Sequence, residues 1–299
     1  MRVGLFLGGT LWFFTALLPI RCRAADPPEA TPQDLIEKVK QAEQSAGFHP
    51  TGNFAHANSR VRAYYRCYFT GLLELPDSYA GLKLRQGSQD GCSLDTRKYD
   101  VFFYPIEVVA SGHSPVTQSL AQASTERLVT VVSHEDFHEQ IRDWPDAIAE
   151  AAATLAGFIT GGTVVQDQEV QPEAKIFWRK AIILNRYYDR LSAVYNAFDR
   201  GAISKSSALG QKQSLLSALQ QECAAIQPEP RSFNKCMPVA NNAGLAFDHT
   251  YTKYYPLVYQ VLLACRHDVR CTIGALLHAP KKTSESAVIQ YLKSFHQVN

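Results

Sequence analysis

Residues 134–138 read His-Glu-Asp-Phe-His, and this run constrains the chain more than any other feature. On an α-helix, side chains at i and i+4 share a face one turn apart. His134 and His138 therefore present both imidazoles to one point only if the stretch is helical. Leu128, Val131 and Val132 precede it at helical spacing, which places the motif on an amphipathic helix with an apolar stripe toward a core. Two imidazoles so placed reach one tetrahedral zinc ion at roughly 2.0–2.1 Å. Glu135 points toward the same cleft, where it can take a proton from a water activated there.

An open zinc site takes three protein donors, and Glu150 is the best third one. Asp143-Trp144-Pro145-Asp146 forms a turn, because a proline cannot extend the first helix but suits the first turn of the next. Glu150 then lies on the returning helix among Ala147, Ala149, Ala151, Ala152, Ala153 and Ala156. Small side chains permit close helix packing, which would enclose the carboxylate, and an enclosed carboxylate needs a compensating cation. Asp143 and Asp146 are the alternatives.

The N-terminus reads as a targeting segment. Arg2 gives a minimal positive region, Val3 to Ile20 is apolar, and Cys22 and Ala24 occupy the small-residue positions before a cleavage point at Ala25. Residues 1–24 are thus expected to be a signal peptide and the mature protein secreted or periplasmic. A membrane is a partner only if the segment stays uncleaved. Without those residues 27 basic side chains face 28 acidic ones, leaving no basic stripe for nucleic acid. Six cysteines remain, Cys67, Cys92, Cys223, Cys236, Cys265 and Cys271. An even count in an exported chain points to disulfides, and nearest-neighbour pairing makes each loop short. No C-x-x-C spacing offers a cysteine-based metal site.

After a proline-rich leader, Pro32–Ala46 has helical periodicity and His49–Asn58 reads as polar loop. Tyr64–Leu75, Leu82–Arg85 and Tyr99–Val109 are rich in β-branched and aromatic residues and predict strands. From Pro115 the pattern is helical: Thr117–Arg142, Pro145–Ile159 closed by Gly161-Gly162, Pro172–Phe198, Ser206–Ile226, Ala240–Arg266 interrupted by Pro256, Asp268–Leu277 and Ser284–Gln297. The expected fold is mainly α (α+β), a small N-terminal β-sheet followed by a helical bundle that carries the motif helix. Residues 25–58 form the leader and first helix, and 59–299 one domain.

Hydrolysis of a carbonyl compound also needs a donor for the developing oxyanion. Residues 240–256 hold Asn241-Asn242 and the tyrosines 251, 254 and 255. The asparagines could bind a substrate backbone or cap a helix, capping being the commoner role. His249 and His113 are weaker assistants. Ser133 precedes His134, but no G-x-S-x-G elbow accompanies it.

The order H-E-x-x-H, then Ala149-Glu150-Ala151 with a following threonine, then Asn241-Asn242-Ala243, Leu245, Thr250-Tyr251 and Pro256, resembles a bacterial family of predicted zinc aminopeptidases. The resemblance runs from about Tyr64 to the C-terminus. It implies a zincin-like fold with His134, His138 and Glu150 as zinc ligands and Glu135 as the base. Tyr251, Asn241 and Asn242 would line the pocket. The chain departs from the family at Asp136-Phe137, where Leu-Ala is frequent, and at Gly244. The resulting expectation is a zinc-dependent peptidase acting on peptide or protein substrates. The competing one is a non-catalytic binding protein that keeps zinc as a structural pin.

Overall fold

The structure, a computed structural model, describes residues 30–109, 112–165, 170–228, 236 and 240–295. The signal-peptide reading of residues 1–24 lies outside the described residues.

Helix α1 (Pro32–Ala46) begins at a capping box. The Thr31 side chain accepts from the Asp34 N–H, and the Asp34 carboxylate accepts from the Thr31 N–H. It ends at Gly47, whose φ of 108° is open to glycine at little cost. The following loop holds a short strand, β1 (Ala57–Asn58), within the span expected to be loop. Strands β2 (Tyr64–Gly71), β3 (Lys83–Gln86) and β4 (Tyr99–Ile106) form an antiparallel sheet in the order β3-β2-β4. The register sets Tyr68 opposite both Leu84 and Phe102, and Arg66 opposite Tyr104. A second, two-residue strand, β5 (Val116–Thr117), pairs in parallel with β1.

Helical pattern dominates thereafter, as its spacing predicts, with two corrections. The span 117–142 is two helices, α2 (Gln118–Ala121) and α3 (Thr125–Gln140), because Thr117 and Ser124 each cap a new N-terminus by accepting from Leu120 N–H and Arg127 N–H. Helix α4 (Asp146–Val164) passes through Gly161-Gly162 instead of stopping there. The segment 240–266 divides at Pro256 as expected, into α7 (Asn242–Thr252) and α8 (Tyr255–Ala264), with the proline in the first turn of the second. Between them in sequence lie α5 (Val170–Asp199) and α6 (Lys205–Ala224), and α9 (Val269–Leu277) and α10 (Glu285–Ser294) follow.

The core is built around α4. Its Ile148, Ala151, Ala152, Leu155 and Ala156 are fully buried with Val258, Val261, Ile273, Leu276, Val288 and Leu292 from the last three helices. By length and apolarity α4 could pass for a membrane span, but 78% of that stretch is buried inside the fold. The sheet joins the bundle through aromatic contact: Phe247 of α7 lies 5.1 Å from the Tyr68 ring and 4.8 Å from Phe102.

Cysteines pair as nearest neighbours. Cys67–Cys92, Cys223–Cys236 and Cys265–Cys271 have Cα separations of 5.8, 5.9 and 5.6 Å. Three disulfides suggest an oxidising, extracellular compartment.

Glycines set the distance between α3 and α4. A Cβ built on Gly157 would sit 2.7 Å from the Thr130 carbonyl oxygen and 3.3 Å from the His134 Cβ, and one on Gly161 would sit 3.0 Å from the Val129 carbonyl oxygen. The two glycines, one turn apart, therefore let the α4 backbone lie directly on α3. Gly157→Ala should destabilise the protein by about 1–3 kcal/mol through overpacking. Gly210→Ala, on α6 where an added Cβ meets nothing within 4 Å, should be neutral or stabilising by up to about 1 kcal/mol. Urea unfolding of the two variants checks both signs.

Behind the motif, α3 turns a polar face to α1. Ser133 Oγ donates to Glu43 Oε1 at 3.1 Å, Asn53 Nδ2 donates to Asp136 Oδ1 at 3.1 Å, and Lys40 forms an ion pair with Asp136. Glu43 and Asp136 are 3% and 0% exposed, so water does little to solvate them. Burial, reinforced by the Asp136 charge and only partly offset by Lys40 and Ser133, pushes Glu43 up to about 9. The folded state thus holds a proton that the unfolded chain releases near the ordinary glutamate range, so stability falls as pH rises from that range toward 9. Glu43→Gln, which keeps a neutral donor beside Asp136, should flatten this slope and gain roughly 1–3 kcal/mol over wild type near pH 8, with little difference at pH 4. Chemical denaturation across that range measures it.

Candidate metal centre

Helices α3 and α4 form an antiparallel pair joined by the turn at Trp144-Pro145, and each places part of the centre. His134 and His138 stand one turn apart on α3. Glu150 stands on the first turns of α4, on the same face as Gly157, where the close backbone approach brings its short side chain within reach. His134 Nε2 and His138 Nε2 are 3.0 Å apart, and Glu150 Oε2 lies 3.2 Å from each. Three donor atoms of a tetrahedral ion at about 2.0–2.1 Å are separated by roughly 3.3–3.4 Å, so a slight opening of this triangle accommodates one. The three residues form a group able to hold a metal ion. Among the alternatives, Asp146 lines the same cleft without joining the group.

The electrostatics fit a cation. Burial opposes charge on Glu150, yet His138 and His134 together hold its carboxyl well below the usual range. Burial likewise opposes protonation of His138, but the Glu150 carboxylate outweighs it and raises the imidazole to about 9. The buried carboxylate thus draws positive charge to the point where the three donors meet.

A cleft of about 700 Å³ opens onto this centre. Glu135 and Tyr251 both line it. Burial raises Glu135, while His134 and His138 pull it back toward the ionised form. The Tyr251 ring lies 6.3 Å from that of His134. Burial first, and then the Glu150 charge, push the Tyr251 hydroxyl well above the ordinary tyrosine range, so it remains a proton-bearing donor at neutral pH.

The two asparagines do not share this cleft. Asn241 caps α7, its side chain accepting from Gly244 N–H and donating to the Val101 carbonyl at 2.9 Å. Asn242 is fully buried: its Oδ1 accepts from Tyr195 Oη at 2.8 Å, and its Nδ2 donates to the carbonyls of Leu72 and Glu74. Both side chains tie α7 to the strands and to the loop after β2. His249 is stacked on Tyr188 at 3.6 Å and hydrogen-bonded to the Asp77 carbonyl. His113 lies outside the cleft.

One contributor has no signal in the sequence. Tyr79, in a 3-10 turn (Tyr79–Gly81) between β2 and β3, donates from its hydroxyl to Glu150 Oε1 at 3.0 Å. Its backbone N–H donates to Thr250 Oγ1 at 2.7 Å, beside Tyr251. Glu150 is therefore held through one oxygen by Tyr79 while the other faces the histidines. No spacing rule links residues 79 and 150. A second arrangement, Arg127 donating to Glu107 and to Tyr104 Oη at 2.7 Å, also lines the cleft.

Compared with known proteins, the chain matches no family model, no curated protein and no solved structure. The site therefore stands on its own geometry.

Tyr79→Phe should weaken metal binding about 10–100-fold, the usual effect of losing a group that orients a ligand. The fold should persist, since only the hydroxyl is removed. Competition with a fluorescent chelator gives the affinity, and the melting temperature of the metal-free protein shows that the packing is intact.

Proposed function

We propose that this chain is a zinc-dependent peptidase of zincin-like fold, exported from the cytoplasm after cleavage of its N-terminal segment. The observation that carries the reading is the meeting, in one open cleft, of the His134–His138–Glu150 group with a second acidic side chain placed for proton transfer, Glu135. Two imidazole nitrogens and one carboxylate oxygen are a donor set suited to zinc in a site with an open position. A structural pin needs no carboxylate between the two histidines, whereas hydrolysis does. The three disulfides support the exported setting. The H-E-x-x-H spacing of residues 134–138 supports the reaction class.

Zinc, when bound, supplies Lewis-acid polarisation of a carbonyl and makes a nearby water acidic at neutral pH. Glu135 takes the proton of the attacking water as its oxygen bonds to the peptide carbonyl carbon. Tyr251, which keeps its proton, donates a hydrogen bond to the carbonyl oxygen as negative charge gathers there. The carbon–nitrogen bond then breaks, and Glu135 returns the proton to the leaving amine. Tyr79 keeps Glu150 oriented throughout and neither gains nor loses a proton. Peptide plus water gives a carboxylic acid and an amine.

Glu135→Gln should bind as much zinc as wild type but hydrolyse peptides at least about 10²–10⁴-fold more slowly, the typical worth of a positioned general base. The assay uses mixed peptides with free and blocked amino termini, with metal content measured in parallel. Cleavage confined to free termini identifies an aminopeptidase. Equal turnover by both proteins excludes the mechanism, and no turnover by zinc-loaded wild type returns the chain to the binding reading.

A further inference from the structure

The sheet side of the cleft is largely apolar, Arg66 apart, and part of it is left open to water. Strand alternation turns Tyr68, Leu84 and Ile106 of the sheet toward the cleft, and Phe247 of α7 completes that side. The described residues include three exposed large hydrophobics, Leu84 at 50%, Val109 at 40% and Ile182 at 41%. The first two line this one cleft. Exposed apolar side chains gathered in a concave site, beside a reactive centre, mark a surface that a ligand covers.

Of the charged groups lining the cleft, Arg66 stands on that side, on the face of β2 that carries Tyr68. Arg127 is paired with Glu107 at 2.6 Å and Arg142 with Glu139, so these two cations already face anions. A basic substrate side chain placed against Tyr68, Leu84 and Phe247 would lose its hydration beside Arg66, and an acidic one would trade its hydration for that one arginine. An apolar one would cover Leu84 and be covered in turn.

We infer that this wall is the specificity subsite of the cleft and that it takes a large apolar side chain, leucine- or phenylalanine-like, next to the bond presented to the metal centre. The inference rests on the peptidase reading of the same cleft, and the experiment separates the two. Burying such a side chain rather than alanine corresponds to about tenfold or more in affinity.

The test measures binding to zinc-loaded Glu135→Gln protein, by fluorescence anisotropy. The probes are labelled alanine-rich hexapeptides carrying Leu, Phe, Ala, Asp or Lys at one central position. The Leu and Phe peptides should bind about tenfold tighter than the others. Leu84→Asp, at a surface position that the core does not need, should remove most of that preference. Ile182→Asp, an equally exposed apolar position on α5 outside the cleft, should keep it. Equal binding of all five peptides, tighter binding of the charged ones, no binding of any, or a preference unchanged by Leu84→Asp overturns the subsite. Preferential binding without cleavage by zinc-loaded wild type would remove the hydrolytic reading and leave the subsite standing. Cleavage without apolar preference would do the reverse.

Discussion

The antiparallel contact of α3 with α4 is the constraint on which the rest of the molecule depends. His134 and His138 are one turn apart by helical geometry alone, but a third donor must arrive from another element at a separation of about a hydrogen bond. A glutamate side chain is short, so the two backbones must be close. Gly157 and Gly161 supply that closeness, since any Cβ there would press on the carbonyl oxygens of Thr130 and Val129. Alanines at 151, 152, 153 and 156 then let the other faces of α4 be enclosed by later helices. The same small residues that build the core also bring Glu150 to 3.2 Å from both imidazoles.

Helix α3 is held from behind by polar contacts and faces the cleft with its reactive ones. On the α1 side, Ser133 and Asp136 are fixed by Glu43, Lys40, Thr51 and Asn53. Ser133 directly precedes the motif and Asp136 is its middle residue, so the helix can neither rotate nor slide without breaking several buried contacts. A buried polar layer is costly when incomplete, and that cost makes the orientation of His134 and His138 definite. The sheet supplies the opposite wall, and the turn at Tyr79 bridges the two by gripping Glu150 and Thr250 at once. Phe247, in contact with Tyr68, Phe102 and Tyr104, keeps that wall at a fixed height above the centre.

Much of the centre was legible from the chain. The i, i+4 histidines, the helical spacing of Leu128, Val131 and Val132, and the Trp144-Pro145 turn together required a helix pair with Glu150 on its returning arm. Nearest-neighbour cysteine pairing followed from loop length. Capping was harder to read, because Thr117 and Ser124 divide an otherwise continuous helical pattern through single side-chain hydrogen bonds. Gly161-Gly162 looked like a helix end because glycine is a frequent stop signal. In the fold Gly161 is an approach surface, a role set by a neighbouring helix that local sequence does not contain.

By itself, then, the sequence determined the motif helix and the shared face of its two histidines, because both depend on periodicity, while loop length only favoured the nearest-neighbour disulfides. Tertiary structure alone decided that Tyr79 reaches Glu150 from 71 positions away. It also decided that Asn241 and Asn242 serve α7 rather than the cleft, and that Leu84 stands exposed in the wall opposite the histidines. Each of these follows from which surfaces the packed core leaves beside one another, and long-range packing has no period that a linear pattern can display.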